Sequence, residues 1–464
     1  MFTRLHSPVR KNNLTLAAAL ALFVCLSGMF NVCAQEKSKV DAKPAKYVFL
    51  MIGDGMGVNQ RLAAGKCLPE KGAKLFMDSF PYSGLTKTNS TVDVTDSAAA
   101  GTALACGVKT RNGVLGLDKD GKRVESIAEL LKKKGMKIGI MTNTPINHAT
   151  PAAFFAHSAG RGSYSEISTF VPEAGFELFV GDGFLINKDD KKPDDMLKDK
   201  GYMLLNNAGE FRKLQKGAGK VVFTYRITSA PISADPKKIT LAECLAKATE
   251  LLDNDNGFFI MMEGGMVDWA CHANDLYSSV QETLAFDDAI KAAHDFYLKH
   301  PSETLIVVTA DHETGGLGVD SSSRPELFMS QKFAKSEIIN RVNACKKEKA
   351  SFEEVLKVVQ ESFGMKELSD AETKAIKDAY DALMETSPSD TRAEEIKKMY
   401  GTKNPVVEAC SKILCTKAGI TWSTGEHTSS KVKTTAIGSG AELFNGEMDN
   451  TGIPARIKKA MSIE

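Results

Sequence analysis

Four short apolar segments that alternate with helical patterns constrain the fold of this chain more than any other feature. They are rich in β-branched or aromatic residues, and runs of this length are typical of buried strands in a parallel sheet. Helical patterns such as Ser279–Tyr297 lie between them. The alternation predicts an α/β fold with a large, mainly parallel central sheet. The segments are Tyr47–Ile52, Lys137–Met141, Gly257–Met262 and Thr304–Thr309.

Each predicted strand is followed by side chains of the kinds that bind metals. In open α/β sheets, ligands bind beyond the carboxyl ends of the strands, so these side chains are expected to line a binding site. In the order of the four strands, the residues are Asp54, then His148 and Thr150, then Glu263, and finally Asp311 with His312.

A serine stands at the start of a predicted helix in the segment 92–113. Ser97 follows Asp96 and opens the Ala-rich stretch Ser97–Cys106. A hydroxyl in the first turn lies among unpaired backbone N–H groups, where an anion is also favoured. Ser97 is therefore a candidate nucleophile toward a phosphoryl group. The alternative is that Asp96 or Ser97 only caps the helix.

Two further segments carry candidate metal ligands. Asp268 and His272 are four positions apart, so on one helical turn they lie on the same face and can reach one ion. His427 lies between Glu426 and Thr428. Each of these features alone is equally typical of a surface. Crowded together without cations, seven of the candidate groups would repel one another or become protonated, so the combination predicts a multi-metal site. These seven are Asp54, Glu263, Asp268, His272, Asp311, His312 and His427.

The N-terminus has the pattern of a secretory signal peptide. Arg4, Arg10 and Lys11 precede an apolar run over 14–30, and Val32, Cys33 and Ala34 offer a cleavage site. We interpret residues 1–34 as a signal peptide and residues 35–464 as one mature domain. An uncleaved membrane anchor is the alternative, because the apolar run is nearly long enough to span a bilayer.

Composition and charge exclude several classes of protein. The chain has 464 residues, of which 43% are hydrophobic and 25% charged, which is ordinary for a large globular protein. Its formal net charge is +1, and loss of the signal peptide would remove three positive charges and no negative one. This balance gives no reason to expect nucleic acid as a partner. Seven cysteines would remain, so at least one is unpaired.

The section from about residue 325 to 418 differs from the rest of the chain. It is rich in Lys, Glu and Ala with helical spacing and has few strand signals. We interpret it as a helical insertion before the last candidate metal ligand, His427. Within it, Phe352–Phe363 shows an amphipathic stripe that predicts a helix packed on the body or on a partner subunit.

The order of seven motifs resembles the alkaline phosphatase family. Their joint occurrence is far more specific than any one of them. The resemblance implies a layered α/β/α fold around a mainly parallel sheet, and a zinc- and magnesium-dependent hydrolase of phosphate monoesters. The motifs are GDGMG at 53–57, TDSAAAGTA at 95–103, GVKT at 107–110, HATPAA at 148–153, EGGMVDWACH at 263–272, TADHETGG at 309–316 and GEHT at 425–428.

The resemblance also implies a role for individual residues. Ser97 would be the covalent nucleophile and Arg161 the arginine that clamps phosphate. Two Zn²⁺ and one Mg²⁺ would be bound. The first zinc would take Asp268, His272 and His427, the second Asp54, Asp311 and His312 with the Ser97 hydroxyl, and the third site Asp54, Thr150 and Glu263 beside His148.

Two positions depart from the best-known bacterial pattern. His148 stands where that pattern has aspartate, and an imidazole should make the third site more tolerant of zinc. Trp269 stands where lysine or histidine is frequent. Because this removes a cation near the phosphate, we expect weaker retention of product phosphate.

The leading hypothesis is an exported metal-dependent phosphomonoesterase that acts on small phosphate esters in the periplasm or outside the cell. No stable membrane anchor is expected, and the resemblance suggests a homodimer. One alternative is a phosphodiesterase of the same superfamily, but a serine nucleophile together with Arg161 favours a terminal phosphate. Another is an envelope protein that binds metal or phosphate without catalysis, which a complete ligand set argues against.

Overall fold

A ten-stranded sheet forms the centre of the molecule, with helices on both faces. The structure is a computed structural model and describes residues 43–463, except 71, 189, 230–236, 387–388 and 401–402. The strands are β1 (Tyr47–Gly53), β2 (Tyr82–Lys87), β3 (Lys137–Thr142), β4 (Leu178–Gly181), β5 (Tyr202–Leu205), β6 (Lys220–Thr224), β7 (Phe258–Gly264), β8 (Thr304–Thr309), β9 (Glu313–Thr314), β10 (Leu317–Gly318), β11 (Thr421–Trp422), β12 (His427–Thr428), β13 (Val432–Gly438) and β14 (Gly446–Asp449).

The order of strands across the large sheet is β14-β2-β13-β8-β1-β7-β3-β4-β6-β5. All of its pairings are parallel except those that β13 makes with β2 and β8. Two further sheets have two strands each, β10 with β11 and β9 with β12. The predicted α/β fold around a large, mainly parallel sheet is confirmed.

The central strands are buried on both faces. Along β1, Phe49 and Met51 belong to one hydrophobic core, and Leu50 and Ile52 belong to the core on the other face. Successive side chains of a strand point to opposite faces, so a strand between two helical layers must be apolar at every position. This explains the continuous apolar run of Tyr47–Gly53.

The helices that cover the sheet vary from one turn to six. In chain order they are α1 (Val58–Lys66), α2 (Ser97–Cys106), α3 (Ile127–Lys133), α4 (Ala149–Ala152), α5 (Tyr164–Ala174), α6 (Asp194–Asp199), α7 (Ala208–Lys213), α8 (Leu241–Leu252), α9 (Met266–His272), α10 (Leu276–Tyr297), α11 (Lys335–Lys347), α12 (Phe352–Phe363), α13 (Asp370–Met384), α14 (Asp390–Tyr400), α15 (Pro405–Ala418) and α16 (Gly452–Ala460), with short 3₁₀ turns at Phe76–Ser79, Pro325–Ser330 and Ala441–Phe444.

Capping side chains set the helix boundaries that the apolar pattern left open. Helix α3 begins at Ile127 because Ser126 and Glu129 form a capping box at its start. Helix α10 begins earlier than Ser279, since the Asp275 side chain accepts a hydrogen bond from the backbone N–H of Ser278. Periodicity therefore located these helices, and polar groups fixed their ends.

Five helices, α11 to α15, occupy most of the section between Pro325 and Ala418. Buried side chains of four of them, among them Ile338 and Val359, share one hydrophobic core with one face of the sheet. Helix α12 has the predicted bounds, and its apolar stripe packs into that core. That this section is an insertion stays a prediction.

The predicted signal peptide, residues 1–34, lies outside the described residues. From Pro44 onward the chain forms one compact unit. Across the described part of the chain, no helix combines the length and apolar character needed to cross a membrane. All seven cysteines after residue 34 lie within the described ranges and are free thiols there, most of them buried or half-buried.

Candidate metal centre and nucleophile

The four strand ends that carry predicted ligands are neighbours in the sheet, in the order β8, β1, β7, β3. Asp54 directly follows β1, Glu263 is the last residue but one of β7, and Asp311 lies two positions after the end of β8. The antiparallel strand β13 starts at this same edge, next to β8, and the short strand β12 before it pairs with β9. This brings His427 to the ligands that follow β8.

A first cluster is formed by Asp268, His272 and His427, whose ligand atoms all lie within 4.8 Å of one another. His272 Nδ1 faces the Gly425 carbonyl at 2.6 Å, and His427 Nδ1 faces the Thr95 carbonyl at 2.8 Å. A carbonyl oxygen can only accept, so both Nδ1 atoms carry the proton and both Nε2 atoms turn lone pairs inward.

The two Nε2 atoms are 3.1 Å apart. Two lone pairs at this distance repel unless a cation or an extra proton lies between them. The hydrogen bond from His272 to Asp268 indeed raises the pKa of His272 to about 9 in the absence of metal. A tetrahedral cation with nitrogen and oxygen ligands, such as zinc, satisfies all three side chains at once.

A second cluster contains Asp54, Asp311 and His312, all fully buried. His312 Nε2 lies 3.4 Å from Asp54 Oδ1 and 3.2 Å from Asp311 Oδ2. Burial and the neighbouring carboxylates raise the pKa of Asp54 well above its ordinary value, and the same two causes raise the pKa of Asp311 to about 8. These carboxylates need a positive charge to remain ionised.

Thr314 connects the first two clusters. Its hydroxyl donates to Asp268 Oδ1 at 2.5 Å and therefore accepts from His312 Nδ1, which is 3.2 Å away. This sets the Nε2 of His312 as the free lone pair. Gly55 makes the approach feasible, since its φ is +67° and a Cβ there would lie 2.9 Å from both Thr314 Oγ1 and Asp268 Cα.

A third cluster shares Asp54 with the second and adds His148 and Glu263. Thr150 Oγ1 lies 3.5 Å from Asp54 Oδ2. Glu263 Oε2 accepts hydrogen bonds from the hydroxyls of Thr142, the last residue of β3, and Thr144, two positions further on. These bonds hold one carboxylate oxygen and leave the other for a ligand.

The residues of all three clusters fit divalent cations. Burying a polar atom without a partner is costly, and here such atoms converge on the cluster centres. Carboxylate and hydroxyl oxygens suit magnesium, and the mixed carboxylate and imidazole sets suit zinc. The buried atoms without a hydrogen-bond partner include Asp54 Oδ1, Asp311 Oδ2, Glu263 Oε1 and His148 Nδ1.

Ser97 lies at the first position of helix α2, and its hydroxyl is 3.2 Å from His312 Nε2. Asp96 caps the same helix by accepting from the Ala99 N–H, so the two interpretations of this segment are compatible. The helix packs closely on α4, since a Cβ on Gly101 would lie 3.0 Å from that of Ala153. This contact places the helix of Ser97 against the segment that carries Thr150.

Arg161 lies at the rim of the site with a third of its side chain exposed. Its Nη1 pairs with Asp96 Oδ2 at 3.1 Å, and its Nη2 lies 3.2 Å from His148 Nε2. Burial first and the guanidinium second lower the pKa of His148 to about 4, so the imidazole is neutral. Arg161 retains further N–H donors for an anion.

The structure brings together all the site residues that the sequence analysis named. The residues that position these side chains were not predicted from the sequence. Thr314 lies within the motif at 309–316 and was not singled out, Asp96 was considered only as a cap, and Thr142 and Thr144 were not considered. The one available signal for the two threonines was their position directly after a predicted strand, where a carboxylate from the neighbouring strand would arrive.

Fold and site together define a metal-dependent hydrolase on a mainly parallel α/β sheet, with a serine hydroxyl at a helix start beside the metal-ligand clusters. A model of the alkaline phosphatase family matches residues 45–180 and 186–463. The chain therefore belongs to the alkaline phosphatase family, and it is a phosphomonoester hydrolase.

Known relatives agree over nearly the whole chain. Alkaline phosphatase 4 of Bacillus subtilis (strain 168) is 30% identical over 455 residues, which cover 93% of each protein. The structure of the cold-active alkaline phosphatase from the psychrophile Shewanella sp. superposes with a TM-score of 0.74 at 26% identity, covering 89% of this chain and 99% of that one.

A second similar structure is a variant of the alkaline phosphatase TAB5, in which a histidine is replaced by aspartate. It has a TM-score of 0.63 and 26% identity, and it covers 91% of this chain and 99% of its own. That variant holds magnesium in a site called M3.

Proposed function

We propose that this protein is an exported alkaline phosphatase that hydrolyses small phosphate monoesters through a phosphoserine intermediate on Ser97. The observation that carries the proposal is the position of the Ser97 hydroxyl. It lies at a helix start, 3.2 Å from His312 Nε2 and at the edge of a cluster of metal-ligand side chains.

Three cations complete the proposed site. Asp268, His272 and His427 hold one Zn²⁺, and Asp54, Asp311 and His312 hold the second near Ser97. Asp54, His148 and Glu263, with Thr150 beside them, hold a third ion, which we assign as Mg²⁺ with tolerance for Zn²⁺. The imidazole of His148 favours that tolerance. The magnesium in the histidine-to-aspartate variant of TAB5 supports an influence of such a histidine on this choice.

When bound, the cations lower the pKa of hydroxyl groups and neutralise charge on the transferring phosphoryl group. Ser97 Oγ then attacks phosphorus in line with the ester oxygen, and the bond from phosphorus to the leaving alkoxide breaks. Water next attacks the phosphoserine and releases phosphate and the Ser97 hydroxyl. Each step inverts phosphorus, so the overall reaction retains its configuration.

Arg161 orients the phosphoryl group during both steps. Its planar guanidinium can donate to two non-bridging oxygens at once, which an ammonium group cannot reproduce. Asp96 holds Nη1 and accepts from the backbone N–H of Gly113 through the same oxygen, so the arginine is fixed relative to the helix that carries Ser97. The residue thus acts by binding and positioning.

The proposal places the mature protein in the periplasm or outside the cell, after cleavage near Ala34. It gives the protein no stable membrane anchor, and a homodimer is the proposed assembly. Support for export comes from the sequence pattern over residues 1–34, and support for the dimer comes from the family resemblance.

Hydrolysis of p-nitrophenyl phosphate at mildly alkaline pH tests the proposal, with bis-p-nitrophenyl phosphate in parallel. We expect fast cleavage of the monoester that chelator abolishes and that Ser97→Ala reduces to background. A matched control is Ser330→Ala, which removes an exposed hydroxyl outside the site. Preference for the diester would indicate a phosphodiesterase. No turnover with zinc and magnesium bound would indicate a binding protein without catalytic activity.

A further inference from the structure

Trp269 is the most exposed Trp or Phe side chain in the described part of the chain, at 43%. Most other residues of its helix, α9, are buried, namely Val267, Asp268, Ala270 and Cys271. Exposure alone carries no inference, because single apolar side chains are common on protein surfaces. The position of this indole beside the reacting groups is what matters.

The indole lies at the rim of the site, next to the side chains assigned to the phosphoryl group. Its ring meets the ring of His148 edge to face, with centroids 6.0 Å apart and planes at 79°. His148 Nε2 is in turn 3.2 Å from Arg161 Nη2. A phosphate held by Arg161 therefore has the indole as a neighbour beyond the imidazole.

The position of the indole is fixed by the metal-binding helix. Asn143 Oδ1 accepts from the backbone N–H groups of Gly265 and Met266, which anchors the start of α9. Asp268 and His272 on the same helix belong to the first cluster. Among the described residues, His148 is the one ring that contacts Trp269, so no other ring stacks on the indole, and 43% of the residue is exposed.

We propose that Trp269 forms a stacking subsite for the base of a nucleoside monophosphate. The inference rests on the proposed function, which places the phosphate at Ser97 and Arg161. A base is the group that fits, because it is planar and is joined to phosphorus through several bonds. It can thus reach past His148 while the phosphate stays in the site. Tryptophan favours such a ring through its π-face, with little dependence on base identity.

AMP and ribose 5-phosphate form a matched pair of substrates, since they share the ester bond and the sugar and differ in the base. With metal-loaded enzyme, we expect kcat/KM to favour AMP by about tenfold. Trp269→Ala should bring the ratio close to one, and Trp269→Phe should keep most of it. Leu298→Ala is the control, because it removes an exposed apolar side chain at the opposite edge of the sheet.

Fluorescence gives a readout that does not need turnover. The chain has two tryptophans, so Trp422→Phe leaves Trp269 as the single reporter. In that background with Ser97→Ala, we expect AMP and adenosine to quench emission and ribose 5-phosphate to leave it unchanged. This arm also separates the two proposals. Absence of phosphatase activity in the unmodified, metal-loaded protein would contradict the proposed function without affecting quenching by adenosine.

Several results would overturn the subsite. One is an AMP to ribose 5-phosphate ratio near one in the unmodified enzyme. A second is a ratio that survives Trp269→Ala in a protein that still hydrolyses ribose 5-phosphate normally. A third is that Trp269→Ala lowers kcat/KM for p-nitrophenyl phosphate and for neither of the other two substrates. The indole would then contact aromatic rings that are bonded directly to the ester oxygen.

Discussion

At the residue scale, every ligand of the three clusters is held by a second contact that decides how it can act. The imidazoles illustrate this best. Gly425 and Thr95 carbonyls fix the tautomers of His272 and His427, and Thr314 fixes that of His312. A ligand nitrogen whose orientation and protonation are set beforehand binds metal without reorganisation.

Arg161→Lys tests whether the planar guanidinium donates to two phosphate oxygens at once. We expect kcat/KM for phosphate monoesters to fall by roughly ten- to a hundredfold, because one bidentate, charge-assisted contact is lost. The measurement is steady-state kinetics of the metal-loaded enzyme. The exposed Arg341, which pairs with Glu337, offers the control Arg341→Lys, for which we expect no change. Equal rates for both variants would contradict the assigned role.

Trp269→Lys tests the absence of a cation at this position. A lysine there should lower the inhibition constant of inorganic phosphate by about fivefold, as expected for one added charge near a phosphate in a solvated site. Trp269→Gln separates the charge from the loss of the ring and should leave the constant unchanged. If the lysine variant retains the original phosphate inhibition, the expected weaker hold on product is wrong.

At the scale of elements, a short backbone segment connects helix α2, which carries Ser97, to Arg161. Thr102 on α2 donates to the Val114 carbonyl, and the backbone N–H of Arg161 donates to the Gly113 carbonyl. His157 Nδ1 faces the Gly116 carbonyl at 2.8 Å. Gly116 has φ +59°, and a Cβ there would lie 2.6 Å from His157 Nδ1, so glycine is required.

Glu129 ties helix α3 to this segment through His157. Its carboxylate is 3.0 Å from His157 Nε2 and also completes the capping box with Ser126. Burial opposes ionisation, but these hydrogen bonds outweigh it and lower the pKa of Glu129 from 4.5 to about 2. The folded protein therefore binds fewer protons here than the unfolded chain between these values.

Glu129→Gln should consequently destabilise the protein in a pH-dependent way. The stabilisation by the ionised carboxylate is present above pH 4.5 and is lost as the pH falls toward 2. We expect a lower free energy of unfolding for the variant than for the unmodified protein at neutral pH. This difference in free energy should become smaller on acidification. Urea unfolding of both proteins between neutral and about pH 3 measures this.

The control for this prediction is Glu125→Gln, which removes an exposed carboxylate that pairs with Lys133. Exposed pairs contribute little to stability, so its effect should be small at every pH. If the difference in free energy of unfolding between Glu129→Gln and the unmodified protein stays constant on acidification, the side chain acts through its shape and not its charge.

At the scale of the whole molecule, the metal ligands are drawn from positions as distant as Asp54 and His427. They meet because β8, β1 and β7 are adjacent and β13 enters the sheet in the opposite direction. Cations at this edge therefore join segments from both ends of the described chain. Binding that occurs in the folded state alone stabilises that state by mass action.

Chelation should lower the melting temperature by at least several degrees, since it removes this stabilisation and leaves buried carboxylates unpaired. Differential scanning calorimetry, with metal analysis of the same samples, measures the effect. Zinc and magnesium should restore the original value. Asp54→Asn removes a ligand shared by two clusters. Adding zinc and magnesium back to this variant should therefore raise its melting temperature much less.

A surface aspartate supplies the matched control. Asp118→Asn changes a turn residue outside the clusters and should behave like the unmodified protein. An unchanged melting temperature after metal analysis has shown complete removal would contradict a structural role of the cations.

The sequence alone determined the α/β class, the main strands and the identity of the ligands. Local apolar runs and helical periodicity are visible in a single chain, and the order of motifs is specific enough to indicate a family. The thiols show the limit of such arguments, because counting seven cysteines left pairing open and the structure shows free thiols.

Only the tertiary structure decided which strand ends are neighbours, that β13 runs antiparallel, and that Thr314 bridges two clusters. Strand order depends on contacts between residues far apart in sequence, and a hydroxyl becomes a connecting group only once the fold brings a carboxylate and an imidazole to it. The open face of Trp269 belongs here too, since exposure is a property of packing. Local sequence patterns determine none of these features, because they depend on how distant segments pack against the two hydrophobic cores.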